Sequence, residues 1–408
     1  MSGTAYVVGT FDTKAEELRY VAGLLRAAGL MAITVDVGTA ASDPAADIPA
    51  ETVAGFHPDG RDAVFAAGDR GVAVSAMTVA LRRCMAARGD IGGMIGLGGS
   101  GGTAIVAPAM RDLPIGVPKL MVSTLAAGDV GPYVGVHDIA MMFPVTDIAG
   151  LNRLSRVVLA NAAHALAGMM TRPAPAPVDA KPALGISMFG VTTPAVQHLT
   201  ARLAADFECQ VFHANGPGGK AFEALALAGM LECMVDLTTT EAADHLLGGV
   251  CTAGPERFDA VGRTGIPWIG SCGALDMVNF WAPETVPERY RGRLFHVHNA
   301  NVTLMRTTAE EMEAVAAWLA GKLNRSAGPV RLLLPEGGLS ALDAPGGAFH
   351  DPAANAALFA ALERHFAPGP DRLLLRVPHH INDPAFAAAV ERHVRDVTAS
   401  VPSGRVST

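Results

Sequence analysis

The residues most able to do chemistry form one segment, Gly96-Leu97-Gly98-Gly99-Ser100-Gly101-Gly102-Thr103. It follows an apolar run, Ile91–Ile95, and a helical pattern opens near Thr103. Glycines let the backbone approach an anion, and the N–H groups at a helix start bind one. Gly96, Gly98 and Gly101 satisfy G-x-G-x-x-G. A dinucleotide fingerprint, however, expects an acidic residue at the end of the next strand, and that strand ends in Ser123-Thr124. No G-x-x-x-x-G-K-[ST] phosphate loop occurs. The segment therefore reads as a seat for phosphate or another anion, with a close-packed glycine turn as the alternative.

Other polar loops follow apolar runs in the same way. Thr10, Asp12, Thr13 and Lys14 fill the first strand-to-helix connection. Asp12 there suits a ligand hydroxyl or a Mg²⁺ ion, or else Asp12 or Thr13 caps the next helix. His213-Ala214-Asn215-Gly216-Pro217-Gly218-Gly219-Lys220 looks like a second cradle. Lys220 at a helix start opposes the dipole unless it serves an anion. Thr238-Thr239-Thr240 offers three hydroxyls at a strand end, or an ordinary cap at Thr240. Asp276, His298 and Glu336 lie in polar strand-end regions and are candidate acids or bases. His296 and His298 share one side of a strand, but no third ligand is near in sequence, so no metal site is expected.

The elements that must position these groups alternate. Short apolar runs lead into helical patterns, such as Lys14–Ala28, Val72–Arg88 and Leu151–Met170, the last expected to face inward with Leu151, Leu154, Val157, Val158, Leu166 and Met169. That rhythm predicts an α/β fold of two Rossmann-like domains, with mostly parallel sheets covered by helices on both faces. The run TRPAPAPVDAKP, 171–182, cannot continue a helix. It separates a first domain over 1–175 from a second over 183–408, with 176–182 as linker.

Composition removes several classes. Half the 408 residues are apolar and 17% are charged, which excludes a disordered chain. The net charge of −8 argues against a nucleic-acid partner. Five scattered cysteines fit reduced thiols, not a disulfide frame. The uncharged stretch 91–110 is long enough to span a membrane, but its seven glycines point to a glycine-rich loop between two buried elements. The opening MSGTAYVVGTFDTK has no signal-peptide pattern. A cytoplasmic protein is expected.

The runs GTFDTKAEEL (9–18), IGLGGSGGTAIV (95–106), LPIGVPKLMVSTLAAGD (113–129), MFGVTTPAV (188–196), VFHANGPGGKA (211–221), DLTTTEAADHLLGGV (236–250), LPEGGLSALDAPG (334–346) and HINDPAF (380–386) resemble the UPF0261, or Tm-1-like ATP-binding, family over nearly the whole chain. The resemblance implies two α/β subdomains, homodimers, and ATP, with or without Mg²⁺, in an interdomain cleft. Gly98, Gly99, Ser100, Gly101, Gly102 and Thr103 would then hold phosphates, assisted by Ser123 and Thr124. Thr10, Asp12, Lys14, Gly218, Gly219, Lys220 and Thr238–Thr240 would complete the site. It also implies, as a partner, a separate TIM-barrel polypeptide resembling phosphoenolpyruvate-hydrolase-like proteins. Either an enzyme of phosphoryl or carbonyl chemistry or an ATP-gated interaction module fits.

Overall fold

A computed structural model describes residues 3–40, 45–172 and 181–399. The chain divides into two compact units, Met1–Ala176 and Pro177–Thr408. Most of the proline-rich segment, residues 173–180, lies outside the described residues.

The first unit carries strands β1 (Thr4–Gly9), β2 (Ala32–Asp36), β3 (Ile91–Gly98), β4 (Lys119–Ser123) and β5 (Ala140–Met142). They form one parallel sheet in the order β2-β1-β3-β4-β5. Alternation along the strands sorts side chains to two faces. Tyr6, Val8, Met94 and Met121 pack in one core with residues of the helices Arg70–Ala86 and Ser100–Arg111. Val7, Ile95, Leu97 and Val122 pack in the other with Phe11–Ala27 and Arg153–Thr171. With both faces covered, the strands must be largely apolar, as their sequences are, with polar residues mostly at the strand ends.

The second unit repeats the plan. β6 (Ala183–Met188), β7 (Glu208–His213), β8 (Cys233–Thr238) and β9 (Trp268–Gly273) precede three strands that form an antiparallel sheet of their own. Those are β10 (Met277–Phe280), β11 (Phe295–Asn299) and β12 (Val302–Arg306), in the order β10-β12-β11. β13 (Val330–Pro335) and β14 (Arg372–Val377) complete a parallel sheet in the order β14-β13-β9-β8-β6-β7. Read from β7, that is the order of the first sheet, extended by one strand. Both units are thus α/β and Rossmann-like, as the sequence rhythm predicts.

Two local expectations are corrected. The helix Arg153–Thr171 buries Leu159, Ala162, Ala163, Leu166, Ala167 and Met170, while Leu154, Val157 and Met169 are exposed. Leu166 is buried and Leu151 packs on the core as expected, but three alanines share the buried face, so a search for large apolar residues finds it only in part. Within 91–110 the expected strand, glycine connection and helix are present, but the connection shrinks to one residue, Gly99, because the strand runs on to Gly98 and the helix opens at Ser100. Among the described residues no helix is long and apolar enough to cross a membrane.

Candidate functional site

In parallel sheets of this strand order, ligands collect beyond the strand carboxyl ends where the order reverses. In the first unit that point lies between β1 and β3. An open cleft of about 670 Å³ lies there, lined by Thr10, Asp12, Lys14, Thr39, Arg70 and Gly99–Gly102, among others. Val64, Phe65, Ala73, Val74 and Ile105 give it an apolar wall.

Its floor is the start of the helix Ser100–Arg111. Thr103 makes the first intrahelical bond, its N–H to the Gly99 carbonyl at 2.9 Å. No side chain caps the helix. The N–H groups of Ser100, Gly101 and Gly102 are therefore without an acceptor, the normal deficit of a helix start. The glycines divide by role. A Cβ on Gly98 would sit 2.9 Å from the Gly102 Cα, so glycine there lets helix and strand meet. A Cβ on Gly101 would come no nearer to anything than 3.8 Å, and the atom it would approach is Nη2 of Arg70.

Arg70 was not singled out from the sequence. It is exposed, opens the helix Arg70–Ala86, and has no hydrogen-bond or ion-pair partner among the described residues. The signal was present: a cation in the first turn of a helix is unfavourable unless an anion compensates it. Lys220 stands out from the sequence for that reason, and Arg70 meets the same condition.

The remaining predicted residues of this unit take different positions. Thr124 lies beside Gly99, its Oγ1 3.6 Å from where a Cβ would be. Thr103 and Ser123 are buried, and their hydroxyls meet each other at 2.7 Å. Thr103 also donates to the Gly99 carbonyl at 2.7 Å. These two lie beneath the helix start with their hydroxyls turned to the protein, not into the cleft lining, where the sequence reading expected them. Lys14 lines the cleft but donates to the Ile148 carbonyl at 3.0 Å, at a residue whose backbone leaves helical geometry. Asp12 and Thr13 do not cap that helix. The Phe11 N–H is instead taken by the buried Asp36 carboxylate at 3.0 Å.

In the second unit the structure closes what the sequence suggested was open. Gly218, Gly219 and Lys220 lie in the first turn of the helix Pro217–Leu227, and Lys220 points to solvent. The amides are already occupied: Gly218 donates to Asn215 Oδ1 at 3.3 Å, and Gly216 and Gly219 donate to Glu241 Oε1 at 2.7 and 3.2 Å. This segment also follows β7, whereas the counterpart of β3 is β8. Thr238, which ends β8, and Thr239 and Thr240, which follow it, are fully buried. Thr238 Oγ1 meets Thr192 Oγ1 at 2.7 Å, Thr239 Oγ1 donates to the Ser271 carbonyl at 2.9 Å, and Thr240 Oγ1 accepts from Asn279 Nδ2 at 3.3 Å. They form no open row of hydroxyls. The helix cap position is Thr239, not Thr240.

Asp276, His298 and Glu336 are not brought together by any hydrogen bond or ion pair among the described residues. Glu336 is exposed and pairs with Arg376 at 3.1 Å. His298 is exposed on β11. Asp276 is fully buried, accepts from Ser340 Oγ at 2.7 Å through Oδ2, and has no partner for Oδ1. Burial, and then the charge of Asp343, push its carboxyl up to about 7. Among the described residues no group of three or more His, Cys, Asp or Glu side chains converges as a metal site would require.

Comparison with known proteins decides the family. The model of the "Uncharacterised protein family (UPF0261) N-terminal domain" matches residues 3–175, and that of its C-terminal domain matches 181–398. The chain belongs to the UPF0261 family. The UPF0261 protein mlr3387 of Mesorhizobium japonicum is 57% identical over 385 residues, covering 94% of this chain and 97% of that protein. A UPF0261 protein of Clostridium tetani is 41% identical over 96% of this chain and 98% of its own length. The ToMV resistance protein Tm-1(GCR237) of Solanum lycopersicum is 39% identical over 95% of this chain. The match spans 55% of that longer tomato protein. Within the UPF0261 N-terminal domain, residues 3–175, lies the whole of the cleft described above.

Proposed function

We propose that the N-terminal unit binds a nucleotide, ATP, with its phosphates on the backbone N–H groups of Ser100, Gly101 and Gly102. The observation that carries this reading is the coincidence of three acceptor-less amides with an unpaired guanidinium, Arg70, on one cleft wall. Amides and the helix dipole favour a negative group there, and Arg70 supplies the formal charge that the missing phosphate-loop lysine would carry. Val64, Phe65 and Ile105 offer an apolar surface for a base, and Thr10 and Thr39 offer hydroxyls. Asp12, Asp69 and Asp147 are the lining carboxylates. Asp69 caps the helix Arg70–Ala86 by accepting from the Val72 N–H at 3.0 Å, so Asp12 and Asp147 are the ones that would face an accompanying Mg²⁺.

Arg70→Ala should weaken ATP binding by about 10- to 100-fold, the worth of one charge-assisted contact, while leaving the thermal unfolding temperature unchanged. Calorimetric titration measures the first and a melting curve the second. Unaltered affinity would remove Arg70 from the site.

Two readings of the bound nucleotide follow. Turnover would make the protein an enzyme of small-molecule metabolism. Binding without turnover would make it an ATP-gated interaction module. The dispersal of Asp276, His298 and Glu336 favours the second, as does kinship with a protein named for virus resistance. ATP consumption in the presence of candidate small acids separates them. A homodimer in the cytoplasm, partnered by a separate TIM-barrel polypeptide resembling phosphoenolpyruvate-hydrolase-like proteins, belongs to the same proposal.

A further inference from the structure

The two units share a strand order, so their helix starts can be compared position by position. β3 ends at Gly98, followed by Gly99 at the cap, then Ser100 and Gly101. β8 ends at Thr238, followed by Thr239 at the cap, then Thr240 and Glu241. Where the first unit has a glycine facing an open cleft, the second has a fully buried carboxylate. That carboxylate ends at the start of the neighbouring helix, Pro217–Leu227. Its Oε1 accepts from the Gly216 and Gly219 amides, and its Oε2 accepts from Arg257 Nε at 2.7 Å. A Cβ on Gly219 would stand 2.1 Å from Oε2. The glycine is required by the protein's own carboxylate.

Two backbone amides and a guanidinium converging on one anionic group is the chemistry of a phosphate or carboxylate site. We propose that Glu241 is a built-in anion that permanently fills this seat, so that the second unit, although built on the same strand order, takes no phosphate there and the chain binds one nucleotide, not two. Removing the Glu241 carboxylate should reopen the seat to small anions. The stoichiometry rests on nucleotide binding by the first unit; the reopening does not.

The test is thermal unfolding of full-length Glu241→Ala with acetate, inorganic phosphate or neutral acetamide. The variant should melt lower than the parent, and acetate or phosphate should restore part of the loss, the more the higher its concentration. Acetamide should restore none. The parent's own response to each solute, which includes any binding in the first unit, is subtracted. Equal responses of parent and variant, or equal rescue by acetamide, would overturn the proposal. Should Glu241→Ala not fold without added anion, folding on addition of acetate but not acetamide supports the proposal, and failure with both counts against it. Glu241→Gln, which keeps the seat filled, should melt lower and show no anion rescue. Rescue of Glu241→Gln equal to that of Glu241→Ala would also contradict it. Titration of ATP into the parent should saturate at one per chain. Two sites would refute the stoichiometry alone, and no binding would count against the nucleotide reading while leaving the rescue experiment decisive for Glu241.

Discussion

Replacing Arg257 by Met should destabilise the protein by on the order of 3–5 kcal/mol at neutral pH, a large share of the stability of most domains. Arg257 is buried and pairs with three carboxylates, Glu241 at 2.7 Å, Asp236 at 2.8 Å and Glu223 at 3.0 Å. Its guanidinium also lies 4.1 Å from the centre of the Phe258 ring. The cluster holds more acid than base, and backbone N–H groups of Gly216, Gly219, Phe258 and Ala260 supply the remaining compensation. Burial already pushes the Glu223 and Glu241 carboxyls upward, against the opposing pull of Arg257. Without the cation they rise further, and the carboxylates are left in a low-dielectric interior. Because a carboxyl raised by folding contributes stability below its unfolded value and loses it as pH rises, the defect should be smaller in mild acid than at neutral pH. Urea unfolding at both pH values measures this, with Trp268 as reporter because its Nε1 donates to Asp236. A variant as stable as the parent at neutral pH would show that the cluster does not depend on its cation.

The second large effect concerns Asp276. Its displacement, from an ordinary 3.8 to about 7, corresponds to on the order of 4 kcal/mol between the protonated and ionised forms. The folded state holds a proton that the unfolded chain releases, so stability is complete below about pH 4 and falls as pH rises toward 7. Asp276→Asn fixes a neutral group of the same shape. The variant should gain stability relative to the parent above pH 7, and its stability should fall less steeply with pH, by up to about 1.4 kcal/mol per pH unit. Asp244, also pushed up to about 7 by burial, retains its own share of the slope. Parallel pH profiles for parent and variant would mean that Asp276 is ionised throughout.

The strand-helix rhythm made both sheets legible, because a parallel sheet covered on two faces must be built from apolar strands. The glycine-lined helix start at Gly99–Gly102 was legible for a related reason: glycines without side chains at a strand end announce close backbone approach. What they approach was not legible. Gly101 faces a cleft, whereas Gly219 faces Glu241, and nothing local in the two glycine runs distinguishes them. The partner of Gly219 lies 22 residues away, and only the strand order brings it there. The hydroxyl run Thr238–Thr240 failed for the same cause, since a strand end at the middle of a sheet can be buried as easily as open. Arg70 was missed because it lies outside any glycine run, on a helix that reaches the cleft only in three dimensions.

The phosphate seat proposed for the N-terminal unit is the start of the Ser100 helix. Gly101→Val tests it most directly, because the added side chain enters open space and need not disturb the fold. Calorimetric titration of ATP should show saturable binding to the parent and none to Gly101→Val, with matching circular dichroism and melting temperature for the two. ATP binding of equal affinity in both, with the fold intact, would contradict the account.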